Sequence, residues 1–208
     1  MSKRAGAVSA ETRETILRCA RDEFAQKGFQ GTSLRRIAAA AGVTTGAIYF
    51  FFEGKDDLFE AVVSAATEPF MGYMMRHYQS EHDFLDKPAA DNLDEDLEVS
   101  VLLIDFYFQQ QTTWDIIRTH QDHPVVRRFL DGFVTVTTEH YLALLDMAAK
   151  VRSRQTPVDR FAVHQFSRMQ VEAMMNLISH GFSRDELVRH SATVTKMLRA
   201  AFNTLLDD

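Results

Sequence analysis

Apolar residues recur at three- and four-residue spacing along nearly the whole chain, and its 208 residues include only 4 Pro. A chain patterned this way buries its apolar faces as helices, because the alternation that strands need is missing and little interrupts the backbone ladder. Ile16, Leu17, Ala20 and Phe24 mark one face of a first helix, from about Ala10 to Lys27, with Gly28 as its stop. Leu34, Ile37, Ala38 and Ala41 make a short second helix, opened by Thr32 or Ser33 and closed at Gly42, and a third of about two turns starts at Thr44. After Glu53-Gly54 a fourth runs from Lys55 or Asp56 toward Gln79, with Leu58, Phe59, Val62, Val63 and Ala66 at its start. Helices resume from about Asp94 to Thr119, from Pro124 to Lys150, from Pro157 to Gly181 and from Arg184 to Leu206. Glu81 to Glu98, with eight acidic residues and Pro88, reads as a surface loop. The expected fold is all-α with about nine helices: an N-terminal three-helix head and a C-terminal helical domain.

Several function classes fall away on composition. No run approaches the roughly 18 apolar residues of a membrane span, and the N-terminus lacks an apolar stretch of signal-peptide length. Cys19 is the single cysteine, so no intrachain disulfide argues for an oxidising compartment, and the cytoplasm is the expected location. The net charge of -6 hides a division: residues 1–55 hold nine Lys and Arg against five Asp and Glu, while the rest hold fourteen against twenty-four. A small basic head on an acidic remainder is the charge pattern of a DNA-binding module joined to a domain that does not bind DNA.

Two short helices joined by Ala41-Gly42-Val43 make a helix-turn-helix, which presents its second helix to a major groove. Gly42 supplies the positive φ that ends the first of the pair, Val43 plugs the corner, and Thr44 caps the next helix. There Ile48, Phe51 and Phe52 face inward, leaving Thr45, Gly46, Tyr49 and Phe50 on the side that meets DNA. Phe50 has two readings, contact with a thymine methyl or cover for the rim of the core. Arg35 and Arg36 fall early in the second helix, where cations are disfavoured by roughly 0.3 to 1 kcal/mol. A guanine edge or a phosphate reached by one of the pair offsets that cost, and the alternative leaves both in water.

The stretch from Ile16 through Phe59, ILRCARDEFAQKGFQGTSLRRIAAAAGVTTGAIYFFFEGKDDLF, resembles the N-terminal signature of the TetR/AcrR family of transcriptional regulators. The resemblance joins the Ala and Phe of helix 1, the GF-x-x-TS link, IA-x-x-AGV, Gly-x-x-Tyr and the Lys before an acidic-Leu-Phe start. It implies that Thr32, Ser33 and Lys55 contact phosphate, that Tyr49 lies on the DNA face, and that Thr44, Thr45 and Gly46 enter the groove. Phe50-Phe51-Phe52 departs from the family's aromatic-His-Phe ending, and Arg36 stands where an acidic residue is common.

With that resemblance, residues 10–55 are expected to form the DNA-binding domain and 56–208 a ligand-binding and dimerisation domain. The middle of the chain is rich in Met and aromatics, each on its own ordinary core. Together they suit an adaptable small-molecule site, for which Phe70, Met74, Tyr78, Phe106, Tyr107, Trp114, Arg118 and Phe133 are the candidates, with His120 and His140 as further polar anchors. Leu187, Ser191, Val194, Leu198, Ala201 and Leu205 recur at alternating four and three, a coiled-coil-like seam, and with Met174 and Ile178 they are the expected homodimer interface. Cys19 reads as core. His120 and His123 form H-x-x-H without a third ligand at matching spacing, so no metal or cofactor is expected, and no catalytic signature occurs. The leading expectation is a cytoplasmic homodimeric repressor that binds double-stranded operator DNA and is released by a small apolar or amphipathic effector. Its rivals are a regulator of the same fold controlled by a protein partner or by no ligand, and a helical enzyme retaining a relic head.

Overall fold

A computed structural model describes residues 2–83, 93–151 and 158–207. Among them nine helices and no strand occur: α1 (Ser2–Gly31), α2 (Leu34–Ala40), α3 (Thr45–Phe51), α4 (Lys55–Asp83), α5 (Leu93–Gln109), α6 (Gln111–Thr119), α7 (Pro124–Val151), α8 (Arg160–Ser179) and α9 (Arg184–Asp207). The ends follow local chemistry. Gly28 breaks α1 at φ 64°, Asp159 caps α8 by accepting from the amides of Phe161 and Ala162, and Pro124 opens α7, where its missing N–H costs nothing. Ser183 and Glu186 cap α9 reciprocally: Ser183 N–H donates to Glu186 Oε2 at 2.9 Å, and Glu186 N–H donates to Ser183 Oγ at 3.5 Å.

The helices divide into two compact units, Met1–Pro69 with Gln110–Arg127 and Phe70–Gln109 with Arg128–Asp208. That division runs elsewhere than the boundary read at residue 55, because the first half of α4 and all of α6 join the core of the head. In the first unit Ile16, Phe24, Ile37, Ile48, Phe59 and Ile117 are fully buried. Phe59 is edge-on to Phe24 at 5.0 Å and to Phe29 at 5.2 Å. Cys19 is buried here as well. In the second unit α9 packs mainly on α5 and then on α8, over a core of Leu142, Leu145 and Val163 flanked by Tyr141, Phe202 and Leu205.

Two readings of the sequence change, and a third is placed. The helix expected over Asp94–Thr119 is two, parted at Gln110 with φ −123° and ψ 26°. No Pro or Gly marks the break; α5 buries Ile104 and Tyr107 in the second unit, whereas α6 buries Trp114, Ile116 and Ile117 in the first. The acidic stretch is helical over Glu81–Asp83 and Leu93–Glu98, and its remainder lies outside the described residues. Asp94, Glu95 and Asp96 fill the first turn of α5, where a negative charge is favoured, and Asp96 accepts from Arg199 at 2.6 Å. Trp114 and Arg118, read as lining an effector site with Phe70 and Phe133, sit on α6 in the unit of the head.

Phe59→Ala removes a fully buried ring from this cluster and should lower the unfolding free energy by about 3 to 5 kcal/mol. Urea denaturation followed by circular dichroism measures it, and a loss below about 1 kcal/mol would contradict the packing described.

Candidate nucleic-acid interface

The corner between α2 and α3 is built from its sequence. Gly42 takes φ 67°, so Val43 N–H turns back to donate to Ala38 O at 3.0 Å. Thr44 Oγ1 accepts from Ala47 N–H at 3.1 Å and opens α3. Ile48 and Phe52 anchor that helix in the core, with the Arg13 guanidinium 5.3 Å from the Phe52 ring centre. Phe51 is only partly buried, edge-on to Phe50 at 5.0 Å. On the other side Tyr49 is 58% and Phe50 78% exposed, and Gly46 and Thr44 are exposed beside them. Phe50 therefore covers no core, and its free ring is available to a thymine methyl.

The segment ahead of α2 is more tightly tied than the sequence suggested. Thr32 is buried, and its hydroxyl donates to Gly28 O at 2.7 Å, so that proton is committed inward. Ser33 caps α2 without a side-chain hydrogen bond to the helix, which leaves its half-buried hydroxyl for another acceptor. The Lys55 ammonium lies 2.9 Å from Phe29 O, 3.4 Å from Thr32 O and 3.5 Å from Gln30 O, and 4.6 Å from the Phe29 ring centre. Lys55 thus holds the loop that carries Thr32 and Ser33.

The arginine pair separates. Arg36 donates from Nε to Glu23 Oε1 at 2.6 Å and from Nη2 to the Gly31 carbonyl, so its cost near the helix start is offset inside the head rather than by DNA or water. Arg35 is exposed and makes no side-chain hydrogen bond or ion pair among the described residues.

His120 and His123, noted in the sequence as H-x-x-H, are used apart. His120 Nε2 accepts from Phe29 N–H at 3.0 Å. The His123 ring lies 4.4 Å from the rings of Phe29 and Phe59, with Nε2 3.8 Å from Asp56.

The second unit collects six of the eight effector-site candidates. Phe70, Met74 and Tyr78 form one buried stripe of α4 at four-residue spacing. Phe70 lies 5.0 Å from Phe133 and 6.2 Å from Phe106, and Tyr107 is buried on α5 beside Phe108. Polar groups close the stripe: Tyr78 Oη is 3.2 Å from Thr137 Oγ1, and its ring stacks on His140 at 3.9 Å. His140 Nε2 meets Glu81 Oε2 at 3.0 Å and His77 Nε2 lies 3.7 Å from Glu81 Oε1. Burial raises the Tyr78 phenol above its ordinary value and, for Asp96, outweighs the lowering effect of Arg199. Tyr78 and His140 of this polar group are singled out by the sequence, whereas Glu81 and Asp96 sit in a run that reads as a surface loop.

Of the expected dimer residues, Leu187 is 2% exposed within its own chain and Leu205 packs on the Leu142, Leu145 and Val163 core. Leu187 thus serves its own chain's core, since the period that marks a seam equally marks the face α9 turns to α5 and α8, while Leu205 is partly buried. Met174, Ile178, Val194 and Leu198 remain half-buried, and Phe161, Met169 and Met197 are exposed.

A helix-turn-helix whose second helix bares Thr44, Gly46, Tyr49 and Phe50, within residues 1–55 where nine Lys and Arg stand against five Asp and Glu, defines a DNA-binding transcriptional regulator. Residues 16–62, which hold the helix-turn-helix, match the model for bacterial regulatory proteins of the tetR family. The chain is similar to the HTH-type transcriptional repressor BepR of Brucella suis, 28% identical over 97% of this chain and 98% of that one. The HTH-type transcriptional regulator AcrR of Shigella flexneri is 41% identical over 39% of this chain and 37% of its own length. The fold is shared with the transcriptional regulator FadR of Bacillus subtilis, solved in complex with stearoyl-CoA, at a TM-score of 0.66 and 16% identity over 90% of this chain and 98% of that one.

Arg35→Ala should weaken operator binding by about 1 to 3 kcal/mol if the side chain reads a base, relaxing preference at one position. Arg36→Ala should change operator preference little and cost under about 1 kcal/mol of stability. Fluorescence anisotropy on a duplex series checks both, and a loss of base preference confined to Arg36→Ala would reverse the assignment.

Proposed function

We propose that this regulator is a cytoplasmic homodimeric repressor that leaves its operator when a small apolar or amphipathic effector binds in the second unit, with no catalytic step. The observation that carries the effector reading is the buried stripe of Phe70, Met74 and Tyr78, backed by Phe106 and Phe133 and ended by Tyr78, His140 and Glu81. Adaptable thioether and aromatic surface beside a few fixed polar groups suits an amphipathic molecule. The helical regulator FadR with stearoyl-CoA is consistent with that choice. Among the described residues no helix is long and apolar enough to cross a membrane.

In this reading Thr44, Thr45, Gly46, Tyr49 and Phe50 enter a major groove, Ser33 and Arg35 meet the backbone or a base edge beside it, and Lys55 and Thr32 set their loop. Two heads bind one inverted repeat. The dimer uses the outer surface of α8 and α9, where Met169 and Met197 are exposed and Met174, Ile178, Val194 and Leu198 keep part of their surface. The effector acts by binding one arrangement of the two heads better than the other.

Linkage requires that effector and operator weaken each other by one factor, corresponding to roughly 1 to 3 kcal/mol. A panel of apolar and amphipathic compounds, screened by displacement of labelled duplex, should yield such a compound, and Met74→Trp should blunt the response while operator binding persists. If no compound alters operator binding, regulation passes to a protein partner. Met197, 66% exposed, tests assembly: Met197→Arg should sediment as a monomer and bind operator weakly, and a wild-type monomer at micromolar concentration would overturn the dimer.

A further inference from the structure

His120 lies outside every DNA-facing position, on the turn after α6, yet it is bonded to the loop that carries Ser33. Its two ring nitrogens have partners of opposite kind. Phe29 N–H points at Nε2 from 3.0 Å, and an amide N–H can only donate. Nδ1 lies 2.8 Å from Ile116 O, and a carbonyl can only accept. The proton therefore sits on Nδ1, and because both partners are backbone groups a ring flip cannot exchange the roles. Thr119 Oγ1, 3.0 Å from Nδ1, donates its own proton to the carbonyls of Asp115 and Ile116. The neutral ring is thus fully satisfied. A second proton, on Nε2, would face the Phe29 N–H donor to donor at hydrogen-bond distance.

We propose that His120 is a positioning residue for operator binding: as a neutral Nδ1–H imidazole it fixes the backbone of the Gly28–Ser33 loop, and its protonation releases the loop and weakens the grip on DNA. The loop cannot keep its path by chain stiffness, because Gly28 at φ 64° has broken α1 and Gln30 and Gly31 are exposed. It is held at the Phe29 amide by His120, at the Phe29 and Thr32 carbonyls by Lys55 and at the Gly31 carbonyl by Arg36, while Thr32 Oγ1 donates back to Gly28 O. His120 is the group that takes up the Phe29 N–H, and its release leaves that amide without its acceptor and the loop held through carbonyls. The charged and titratable groups on the surrounding elements are Lys27 at the end of α1, Lys55 and Asp56 on α4, Asp115 and Arg118 on α6, and Asp122, His123 and Arg127 beyond it. His123 is set on Asp56, Arg118 on Asp115 and Arg127 on Asp122. Among the described residues His120 itself pairs with no carboxylate.

Operator affinity is accordingly greater with the His120 ring neutral than with it protonated. This rests on the reading that Ser33 meets DNA, and the experiment separates the two. The full chain, with a duplex recovered by selection from a random pool, is titrated by anisotropy between about pH 8 and about pH 5.5, the range in which an imidazole changes charge. Wild type should lose about tenfold in affinity across that range, the scale of one hydrogen bond turned repulsive. His120→Gln, whose carbonyl oxygen can still accept from Phe29 N–H, should keep most of the affinity at high pH and lose little on acidification. His120→Leu should be weak throughout, and His123→Gln should keep the wild-type slope. Parallel slopes for wild type and His120→Gln overturn the proposal. Should His120→Gln fail to fold, nitrogen-15 NMR of the wild-type ring decides instead: a protonated Nε2 at the pH of tight binding refutes it, and an Nδ1–H neutral ring lost together with Phe29 amide protection on acidification supports it. Ser33→Ala judges the underlying reading alone, since unchanged affinity there removes the contact but leaves the His120 comparison intact.

Discussion

An ammonium on three carbonyls is what the geometry of the DNA head rests on. Gly28 kinks α1 at a positive φ, which sets residues 29–33 on a path apart from the helix before it. Lys55, the first residue of α4, gathers those of Phe29, Gln30 and Thr32 and stacks on the Phe29 ring. A charged donor makes the stronger class of hydrogen bond, and here one side chain closes a loop of 26 residues that contains the whole helix-turn-helix. The register of α2, and of α3 behind it, is thereby referred to the start of α4.

The same residue explains why a motif noted for DNA contact is also structural. Lys55 holds the loop through the Phe29 and Thr32 carbonyls, as Thr32 does through Gly28 O, and in the proposed function such groups act by presenting Ser33 and Arg35 rather than by reading sequence. In the proposed function, sequence is read by what α3 leaves bare. Thr44, Gly46, Tyr49 and Phe50 stand clear of the core because Ile48 and Phe52 occupy it, so the face that binds is fixed by the face that packs.

What was legible in the sequence is what depends on neighbours along the chain. The corner at Gly42 and the cap at Thr44 follow from φ and from a hydroxyl three residues ahead of its partner, and both stand as read. The burial of Ile48 and the exposure of Tyr49 follow from helical period. Contacts that join distant segments left weaker traces. Arg36 was identified as anomalous, yet its partner Glu23 lies across a loop that no local rule bridges. The break at Gln110 carries no breaker residue, because it is set by the core that each side enters. For that reason Trp114 was recognised as buried but not as part of the head. Leu187 and Leu205 obey a seam's spacing, and periodicity alone does not distinguish a partner's helix from α5 and α8.

The most direct test of α3 as a groove-reading helix is selection of bound duplexes from a random pool by the full chain, followed by sequencing. An inverted repeat should emerge, its half-sites about one helical turn apart, and Tyr49→Ala or Gly46→Val should erase that preference while leaving the protein folded. A pool that returns with no enriched sequence, or one whose enrichment survives both substitutions, would contradict the assignment of α3 to the groove.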